Sequence, residues 1–452
     1  MKYPKYPAYK DSGVEWIGKI PEGWKIKDTK RLFKVVNGST PSTSILDYWD
    51  GDIIWITPED LSKSNKYVIN SERKITSEGY KSCGTTLVPP NSLILSTRAP
   101  IGYAALTSSE CCTNQGCRSL VPYDGTYSDY YYYFMISCKE ILNTMGNGAT
   151  FKELSKSNLE SLGLLVPSLA EQKQISFFLD STLEKIDNGL ANLQKMIELL
   201  KEKRQAIITH AVTKGLDPNV PMKDSGVEWI GEIPERWEVR RLGMAATINP
   251  SKMEISNLSR EVVVSFLPME YIGNDGIVNM REEKPISQVE KGYVYFKDGD
   301  VIVAKITPCF ENGKGALLNG LTSGIGFGTT ELIVLRTKPP LDREFLYYIT
   351  ISNPFRKIGE SHMHGSAGQK RVPEDFVKEF KLAIPPLSEQ RKICEFVNLS
   401  INKMNFLIFK LQKATDLLGE YRTSLISAAV TGKIDLRNFK INEISESNKY
   451  HG

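Results

Sequence analysis

The sequence KDSGVEWIGKIPEGW at residues 10–24 recurs as KDSGVEWIGEIPERW at residues 223–237, with two positions changed. The sequences VPSLAEQ, at residues 166–172, and IPPLSEQ, at residues 384–390, form a second pair with nearly the same offset. Such an offset is far longer than the roughly 20–45 residues of a solenoid repeat. The chain is therefore predicted to contain two tandem copies of one large unit.

Each copy continues past its Glu-Gln pair into a regular series of apolar residues. Their spacing alternates between three and four, which is the heptad pattern of a coiled-coil seam. We expect these positions to pair the two helices or to dock a partner: Leu183, Ile186, Leu190, Leu193, Ile197 and Leu200 in the first copy, and Ile401, Met404, Ile408, Leu411, Leu418 and Leu425 in the second. Ser168 and Glu171 have the spacing of a capping box, and Gly215 and Gly432 stand where the helices are expected to end.

An isolated amphipathic helix leaves its apolar seam exposed, so each helix needs a partner. Antiparallel pairing with the other copy's helix is the expected arrangement, and packing of each seam on its own globular part is the alternative. Arg204 and Arg422 occupy matching seam positions. We favour arginine stems that lie along the interface with their heads in solvent. The alternative is a polar contact that sets the register of the two helices.

The segments before the helices have a mixed α/β pattern. Strand-like runs occur at residues 52–56, 92–96, 300–304 and 331–335, and helical stretches lie near residues 130–145 and 344–358. The expected fold class is α+β, with two tandem α/β domains that are each followed by a long coiled-coil helix, the helices pairing antiparallel with pseudo-twofold symmetry. The expected boundaries are residues 1–167 and 216–383 for the domains, 168–215 and 384–432 for the helices, and 433–452 for a polar tail. The domain centres diverge strongly, as in one scaffold that presents two different surfaces.

The composition of the 452 residues, 24% charged and 41% hydrophobic, excludes a disordered or fibrous chain. The longest apolar runs are far shorter than the ~18 residues needed to cross a bilayer, and the first residues lack a signal peptide's apolar core. A cytoplasmic location is therefore expected. The net charge of +4 permits nucleic-acid binding without requiring it. The seven cysteines form no Cys-x-x-Cys pair, so reduced thiols are expected.

Sequence signatures of catalysis are largely absent. Residues 311–315 lack the glycine spacing and the hydroxyl of a phosphate-binding loop, and the glycine cluster at residues 324–328 is interpreted as a turn. His362 and His364 have no cysteine or carboxylate at ligand spacing, which favours a solvated loop over a metal site. We expect a non-catalytic chain without a bound metal.

The Gly-x-Ile-Pro-x-x-Trp start of each copy, the Leu-x-Glu-Gln sequence before each helix and the two variable centres together resemble the specificity subunits of type I restriction-modification enzymes. A weaker shared feature is the small-residue loop at residues 148–152 and 366–370. The resemblance covers nearly the whole chain. It implies that each variable domain is a target recognition domain for one half of a split, asymmetric sequence in double-stranded DNA, and that the helices are spacers.

The resemblance also implies partners and cofactors. The helices would dock methyltransferase subunits, expected to number two, and through them the restriction and translocation subunits. The chain itself would bind no cofactor, because S-adenosylmethionine, ATP and magnesium are expected only in those partner subunits. The alternative class of function is a coiled-coil protein–protein adaptor that does not recognise DNA, and a third is an enzyme with an unrecognised active site.

Polar and basic residues near the expected loops are the candidates for DNA contact, because lysine and arginine bind phosphates while arginine, glutamine and asparagine read base edges. The candidates are Thr40, Ser42, Arg98, Gln115, Arg118 and Lys152 in the first domain and Lys305, Asn312, Lys314, Thr330, Gln369, Lys370 and Arg371 in the second. Residues 114–116 and 328–331 look like corresponding positions of the two domains.

Overall fold

The structure, a computed structural model, describes residues 3–146, 152–274, 276–366 and 368–439. It divides into two compact units: unit 1 comprises Met1–Leu193 and Lys413–Gly452, and unit 2 comprises Gln194–Gln412. Each unit therefore contains a part of both long helices, whereas the sequence analysis assigned one whole helix to each domain.

Unit 1 is a mixed α/β unit. Its strands are β1 (Tyr9–Asp11), β2 (Lys19–Pro21), β3 (Lys25–Asp28), β4 (Phe33–Asn37), β5 (Trp49–Ile56), β6 (Tyr67–Val68), β7 (Lys74–Ile75), β8 (Leu93–Ser96), β9 (Ala104–Thr107), β10 (Cys112–Thr113), β11 (Cys117–Pro122) and β12 (Gly163–Val166). Its short helices are α1 (Pro58–Lys63), α2 (Ser77–Lys81), α3 (Ser128–Ser137), α4 (Lys139–Thr144) and α5 (Lys156–Ser161), and the long helix α6 (Leu169–Lys214) begins here.

The central sheet of unit 1 has the strand order β4-β11-β8-β9-β6, and a smaller sheet has the order β10-β5-β7. All four residues of β8 are buried. Leu93 and Leu95 pack in the core that includes α3, while Ile94 packs on the opposite face in a second cluster with Ile56 and Cys117. A strand that is covered on both faces is apolar throughout, which explains the unbroken run at residues 93–95.

Unit 2 repeats this plan with one more strand in its smaller sheet. Its strands are β13 (Met222–Asp224), β14 (Glu232–Pro234), β15 (Glu238–Arg241), β16 (Ala246–Ile248), β17 (Val263–Leu267), β18 (Glu283–Pro285), β19 (Val294–Lys297), β20 (Val301–Ala304), β21 (Gly315–Leu317), β22 (Ile325–Gly328), β23 (Leu332–Thr337) and β24 (Lys381–Ile384). Its helices are α7 (Leu242–Ala245), α8 (Ile286–Val289), α9 (Arg343–Ile351), α10 (Asn353–Ser361), α11 (Glu374–Glu379) and the first part of the long helix α12 (Leu387–Val430). The central sheet has the order β16-β23-β20-β21, and the smaller sheet has the order β18-β17-β22-β19.

Residues 325–328 of the glycine cluster form strand β22, so the interpretation as a turn was wrong for them, whereas Gly324 does end the turn before this strand, with a φ of 69°. A Cβ on Gly326 would lie 2.5 Å from the Phe296 ring and 2.9 Å from the carbonyl oxygen of Ser265. Glycine is required here because a ring and a neighbouring strand approach the backbone closely.

The two long helices pair antiparallel within each unit, as the heptad pattern predicts. All twelve predicted seam residues are buried or half-buried. In unit 1, Leu183 and Ile186 of α6 share a core with Leu425 and Ile426 of α12. In unit 2, Ile208 of α6 shares a core with Ile393, Cys394 and Val397 of α12. The predicted α+β fold class is confirmed.

Arg204 and Arg422 make polar contacts across the helix pairs, so the favoured interpretation of their heads as solvated was wrong. The Arg422 guanidinium donates two hydrogen bonds to the Asp187 carboxylate, at 2.7 and 3.2 Å. Arg204 Nη1 donates to Asn405 Oδ1 at 2.9 Å. Each contact requires one relative position of the two helices, which sets their register.

The repeated Glu-Gln pair attaches each long helix to its unit. Glu171 forms a capping box with Ser168, and its Oε1 accepts hydrogen bonds from Trp24 Nε1 and the Tyr6 hydroxyl, both at 3.3 Å. Gln172 Oε1 accepts from the backbone N–H of Tyr127, just before α3. In unit 2, Gln390 Oε1 accepts from the backbone N–H of Asp342, just before α9. The repeat is therefore a packing motif of the scaffold.

The Pro-x-x-Trp sequences, at residues 21–24 and 234–237, pack where the long helices end. Gly215 and Gly432 both adopt positive φ, 79° and 71°, a conformation that glycine takes without strain. A Cβ on Gly432 would lie 2.5 Å from Pro21 and one on Gly215 would lie 3.2 Å from Trp237. Both the predicted stops and the need for glycine are thus explained by close packing against the Pro-x-x-Trp sequences.

Part of the segment predicted to be a polar tail belongs to the core of unit 1. Leu436 is 2% exposed, the Phe439 ring packs edge-on against Phe178, and the backbone N–H of Asp435 donates to the carbonyl of Pro4. Residues 440–452 lie outside the described residues. Burial of these two apolar side chains explains why residues 433–439 pack against unit 1.

No helix in the described part of the chain combines the length and the apolar character that a bilayer span requires. The seven cysteines are free thiols, five of them buried.

Candidate nucleic-acid interface

In unit 1, three loops meet at the end of strand β8. The backbone N–H of Thr97 donates to the carbonyl of Gly116 at 2.8 Å, and the N–H of Leu154 donates to the carbonyl of Thr97 at 2.8 Å. The Thr40 hydroxyl donates to the side-chain oxygen of Gln115, which adds the loop after β4. The structure thus brings together the candidates Thr40, Arg98, Gln115 and Lys152.

Glu153 lies between two arginines where these loops meet. Its Oε2 accepts a hydrogen bond from Arg98 Nε at 3.0 Å, and its Oε1 lies 3.6 Å from Arg118 Nη2. The Arg98 side chain is 49% exposed, whereas the Arg118 side chain is 11% exposed and also donates to the Thr97 hydroxyl. Burial lowers the pKa of Arg118. Arg98 therefore presents an exposed guanidinium where these loops meet, whereas the Arg118 candidate lies mostly buried behind it.

Ser42 lies on an exposed part of the loop between β4 and β5. Its hydroxyl is 2.9 Å from the Ser44 hydroxyl, and its carbonyl accepts from Trp49 Nε1 at 3.1 Å. The Arg73 guanidinium stacks on the Trp49 ring at 3.5 Å. This loop therefore has a rigid aromatic support.

Unit 2 repeats the same crossing of loops. The backbone N–H of Lys305 donates to the carbonyl of Glu331 at 2.8 Å, and the N–H of Val372 donates to the carbonyl of Lys305 at 2.9 Å. Lys305, Glu331 and Val372 are thus the counterparts of Thr97, Gly116 and Leu154. The candidates Lys305, Thr330, Gln369, Lys370 and Arg371 converge here, and these bonds support the expected correspondence of the loops at residues 114–116 and 328–331.

Arg371 forms a bidentate ion pair with Glu331. Arg371 Nε lies 3.1 and 2.9 Å from the two carboxylate oxygens, and Nη2 donates to Oε1 at 2.8 Å. Arg371 Nη1 donates to the carbonyl of Gln369 at 3.3 Å. The hydrogen bonds from Arg371 lower the pKa of Glu331. The pair holds an exposed guanidinium in a defined plane.

Asn312 and Lys314 lie on the neighbouring turn and differ in availability. Asn312 is exposed, whereas Lys314 is half-buried and its Nζ donates to the carbonyl of Met269 at 3.1 Å. The Lys314 ammonium is therefore less open than the Asn312 amide, because it is bound to a neighbouring loop. Of the two small-residue loops, residues 147–151 and 367 lie outside the described residues.

Glu153 and Glu331 are the site residues that the sequence analysis missed. A search for groups that bind phosphates and bases selects cations and amides, so it passes over acids. The signal that could have found them is their position in the sequence. Glu153 directly follows the candidate Lys152, and Glu331 directly follows the candidate Thr330.

Asp342, Glu344 and Cys394 bring their ligand atoms within 4.8 Å of one another. Asp342 caps α9 by accepting from the backbone N–H groups of Glu344 and Phe345, and Glu344 accepts from Asn398 Nδ2. These hydrogen bonds explain the carboxylates as structural groups, and we assign the cluster no metal.

The family described as the type I restriction modification DNA specificity domain matches two segments of this chain, residues 21–200 and 234–414. The chain is 38% identical over 234 residues to the type I restriction enzyme MjaIX specificity subunit of Methanocaldococcus jannaschii, covering 50% of this chain and 52% of that one. It is 40% identical over 213 residues to the EcoEI specificity subunit of Escherichia coli, covering 46% and 34%. The chain thus spans about half or less of the length of these relatives.

Other relatives align over most of their length. The MjaVIII specificity subunit of Methanocaldococcus jannaschii is 23% identical over 430 residues, which covers 93% of this chain and 95% of that one. Among solved structures, one from a study of assembly and conformational transition of the type I R-M system has a TM-score of 0.68 at 13% identity, covering 91% and 98%. The HsdS subunit from Thermoanaerobacter tengcongensis has a TM-score of 0.52 at 13% identity, covering 94% and 100%. At this identity the structures show a shared fold.

Proposed function

This chain belongs to the family of type I restriction-modification DNA specificity domains, and from that premise we propose that it is the DNA sequence-specificity subunit of a type I restriction-modification complex. Each unit binds one half of a bipartite, asymmetric target in duplex DNA. The chain itself is non-catalytic and cytoplasmic, and binds no cofactor. Methylation, cleavage and the S-adenosylmethionine, ATP and magnesium that they need belong to partner subunits.

One observation carries this proposal: the two units place different side chains on the same crossing of loops. Thr97 and Lys305 occupy equivalent positions in the backbone hydrogen bonds, as do Gly116 and Glu331. The two units repeat one backbone scaffold but expose different side chains on it. This arrangement suits two domains that recognise different DNA sequences. An adaptor for two identical partners would keep that edge the same.

The exposed candidates divide by the chemistry of their contacts. Lys152 and Lys370 are point charges for phosphates, which supply affinity without sequence information. Arg98 and Arg371 have planar guanidinium groups, and Gln115 and Gln369 have amides, which are the groups that pair with base edges in the major groove. We assign base reading to these four.

The partner-docking surface lies on the outer faces of the long helices, because the seam residues are used up in helix pairing. On the unit 2 part of α12, Leu399, Phe406 and Phe409 are 74%, 56% and 66% exposed. Exposed apolar groups of this size mark an interaction surface. We assign it to a methyltransferase subunit, with two such subunits in the complex and the restriction and translocation subunits attached through them.

The test is a gel shift of the full chain with a pool of random-sequence duplex DNA, followed by sequencing of the bound fraction. The expected result is salt-sensitive binding and a selected motif with two halves separated by an unread gap. The protein–protein adaptor predicts no duplex binding at any salt concentration, and that outcome would overturn the proposal.

A further inference from the structure

We propose that Glu153 and Glu331 are positioning residues: each carboxylate holds one exposed guanidinium, that of Arg98 in unit 1 and Arg371 in unit 2, in the orientation that reads a guanine edge. The inference rests on the proposed function and deepens it, because it assigns a base type and a supporting group to each half-site.

In unit 1, one oxygen of the Glu153 carboxylate is held by Arg118 and the other orients Arg98. Its Oε1 faces the buried Arg118, whose Nη1 is tied to the Thr97 hydroxyl, while its Oε2 accepts from Arg98 Nε at 3.0 Å. Nη1 and Nη2 of Arg98 donate to no group in the described parts of the chain. A guanidinium that is bound through Nε presents these two nitrogens as an outward fork.

In unit 2, Arg371 is held on two sides. Glu331 accepts from Nε and Nη2, and the carbonyl of Gln369 accepts from Nη1. The backbone of Glu331 is fixed in turn, because its carbonyl accepts from Lys305. The side chain remains 45% exposed. The guanidinium plane is therefore set before any ligand arrives, which reduces the entropy lost on binding.

The two units reach this arrangement with the charges exchanged. Glu153 and Arg371 occupy equivalent positions, one residue before Leu154 and Val372 in the shared crossing. Their partners come from different loops, since Arg98 follows β8 and Glu331 precedes β23. Solvent-exposed ion pairs add little to stability, so stability alone does not explain a pair at the same edge of both units.

The neighbouring carboxylate indicates which acceptor the guanidinium meets. A phosphate carries a negative charge and would be repelled by the glutamate beside it, whereas the O6 and N7 acceptors of guanine are neutral. The carboxylate therefore favours base reading over backbone contact. Its removal should raise binding to unselected DNA and lower the discrimination against a wrong base.

The experiment uses the full chain and random-sequence duplex pools. Glu153→Gln and Glu331→Gln are compared with wild type and with two controls that remove the same charge elsewhere, Asp28→Asn in unit 1 and Glu379→Gln in unit 2. We expect each glutamate variant to lose the preference for one guanine, on the order of tenfold in enrichment, in its own half of the motif. Binding to the unselected pool should stay the same or rise, and both controls should keep the full motif.

Arg371→Lys keeps the charge but removes the fork, so it should lose the same guanine as Glu331→Gln, and the double variant should lose no more. Thermal unfolding of each variant reports whether the unit is folded. If folded glutamate variants keep every base preference, or bind all sequences more tightly by one common factor, the positioning role is wrong while the proposed function stands. If wild type selects no motif, the proposed function itself fails.

Discussion

Unit 1 and unit 2 share the plan of both sheets and differ in the strands added at the sheet edges. The orders β4-β11-β8-β9 and β16-β23-β20-β21 correspond strand by strand, and β10-β5-β7 corresponds to β22-β17-β18, with the same parallel and antiparallel pairings. Unit 2 adds β19 beside β22, whereas unit 1 adds β6 beside β9. The shared part contacts the long helices through the repeated tryptophans and glutamines. The comparison teaches that the repeat in the sequence marks packing, whereas the loop crossing proposed for DNA binding has the same backbone bonds but different side chains in the two copies.

The same contrast appears in the polar contacts between each unit and its long helices. In unit 1, Lys66 lies between Asp129 and Asp180, and the Tyr133 hydroxyl also donates to Asp180. In unit 2, the corresponding tyrosine, Tyr348, donates to Asn398. Unit 1 therefore has a lysine between two carboxylates, where unit 2 has an amide, Asn398, between the Tyr348 hydroxyl and one carboxylate, that of Glu344.

The largest expected effect on stability comes from substituting the two buried tryptophans, which differ in their hydrogen bonding. Trp24→Ala and Trp237→Ala should each lower the free energy of unfolding of their unit by about 3–5 kcal/mol, because each empties a large core site. Trp24 Nε1 donates to Glu171, whereas Trp237 Nε1 has no partner within the described ranges. Trp24→Phe should therefore cost about 1 kcal/mol more than Trp237→Phe. Hydrogen exchange with denaturant assigns the loss to a unit, and equal costs would contradict the assignment.

The second prediction tests the charge network of unit 1. Lys66→Met should destabilise unit 1 by about 3 kcal/mol, because it leaves two partly buried carboxylates without their cation. The matched control is Lys63→Met, since Lys63 pairs with Glu59 and Glu72 at an exposed site, and its loss should lower stability much less than the loss of Lys66. Adding Asp180→Asn, which copies Asn398, should restore part of the loss. Denaturant unfolding measures all three, and a similar cost for both lysines would refute the contrast.

The third prediction separates the seam from the outer face of α12. Phe406→Asp should change the free energy of unfolding by less than about 0.5 kcal/mol, because the residue is exposed, yet reduce co-purification with the methyltransferase subunit. Leu425→Asp should unfold unit 1, since this seam residue is 4% exposed. Met253→Asp, at an 81% exposed position of unit 2, is the control for loss of an exposed apolar group. Undiminished partner binding by Phe406→Asp would move the docking surface elsewhere.

The smallest expected effect is a pH dependence confined to the Glu331–Arg371 pair. The hydrogen bonds from Arg371 lower the pKa of Glu331, so the pair contributes stability above the usual glutamate pKa of about 4.3 and loses it as pH falls through the lowered value. The Arg371 side chain is exposed to solvent, which screens the pair and keeps its contribution to stability small. Wild type and Glu331→Gln should therefore converge in stability at low pH, as followed by thermal unfolding. A constant difference across the acid range would contradict the pairing.

Much of the fold followed from local patterns. Alternating steps of three and four predicted the seam from Leu183 to Leu425, since helix geometry alone puts such residues on one face. Strand-like runs at residues 92–96 and 300–304 were correct because a strand covered on both faces is apolar throughout. The DNA-binding candidates were chosen by residue type, which cannot distinguish the exposed Arg98 from the buried Arg118.

The sequence by itself determined that the chain repeats one unit, where each long helix begins and ends, and which residues form the seam, because these depend on contacts between near neighbours in the chain. Only the tertiary structure decided that each unit contains one half of α6 and one half of α12. A heptad seam shows that a helix needs a partner, but it does not show which domain each half of the helix packs against. The tertiary structure also decided that glycines 326 and 328 lie in a strand, that residues 433–439 complete a core, and that two glutamates sit behind the exposed arginines. Those features depend on groups distant in sequence that approach within a few ångströms, and no local pattern records such an approach.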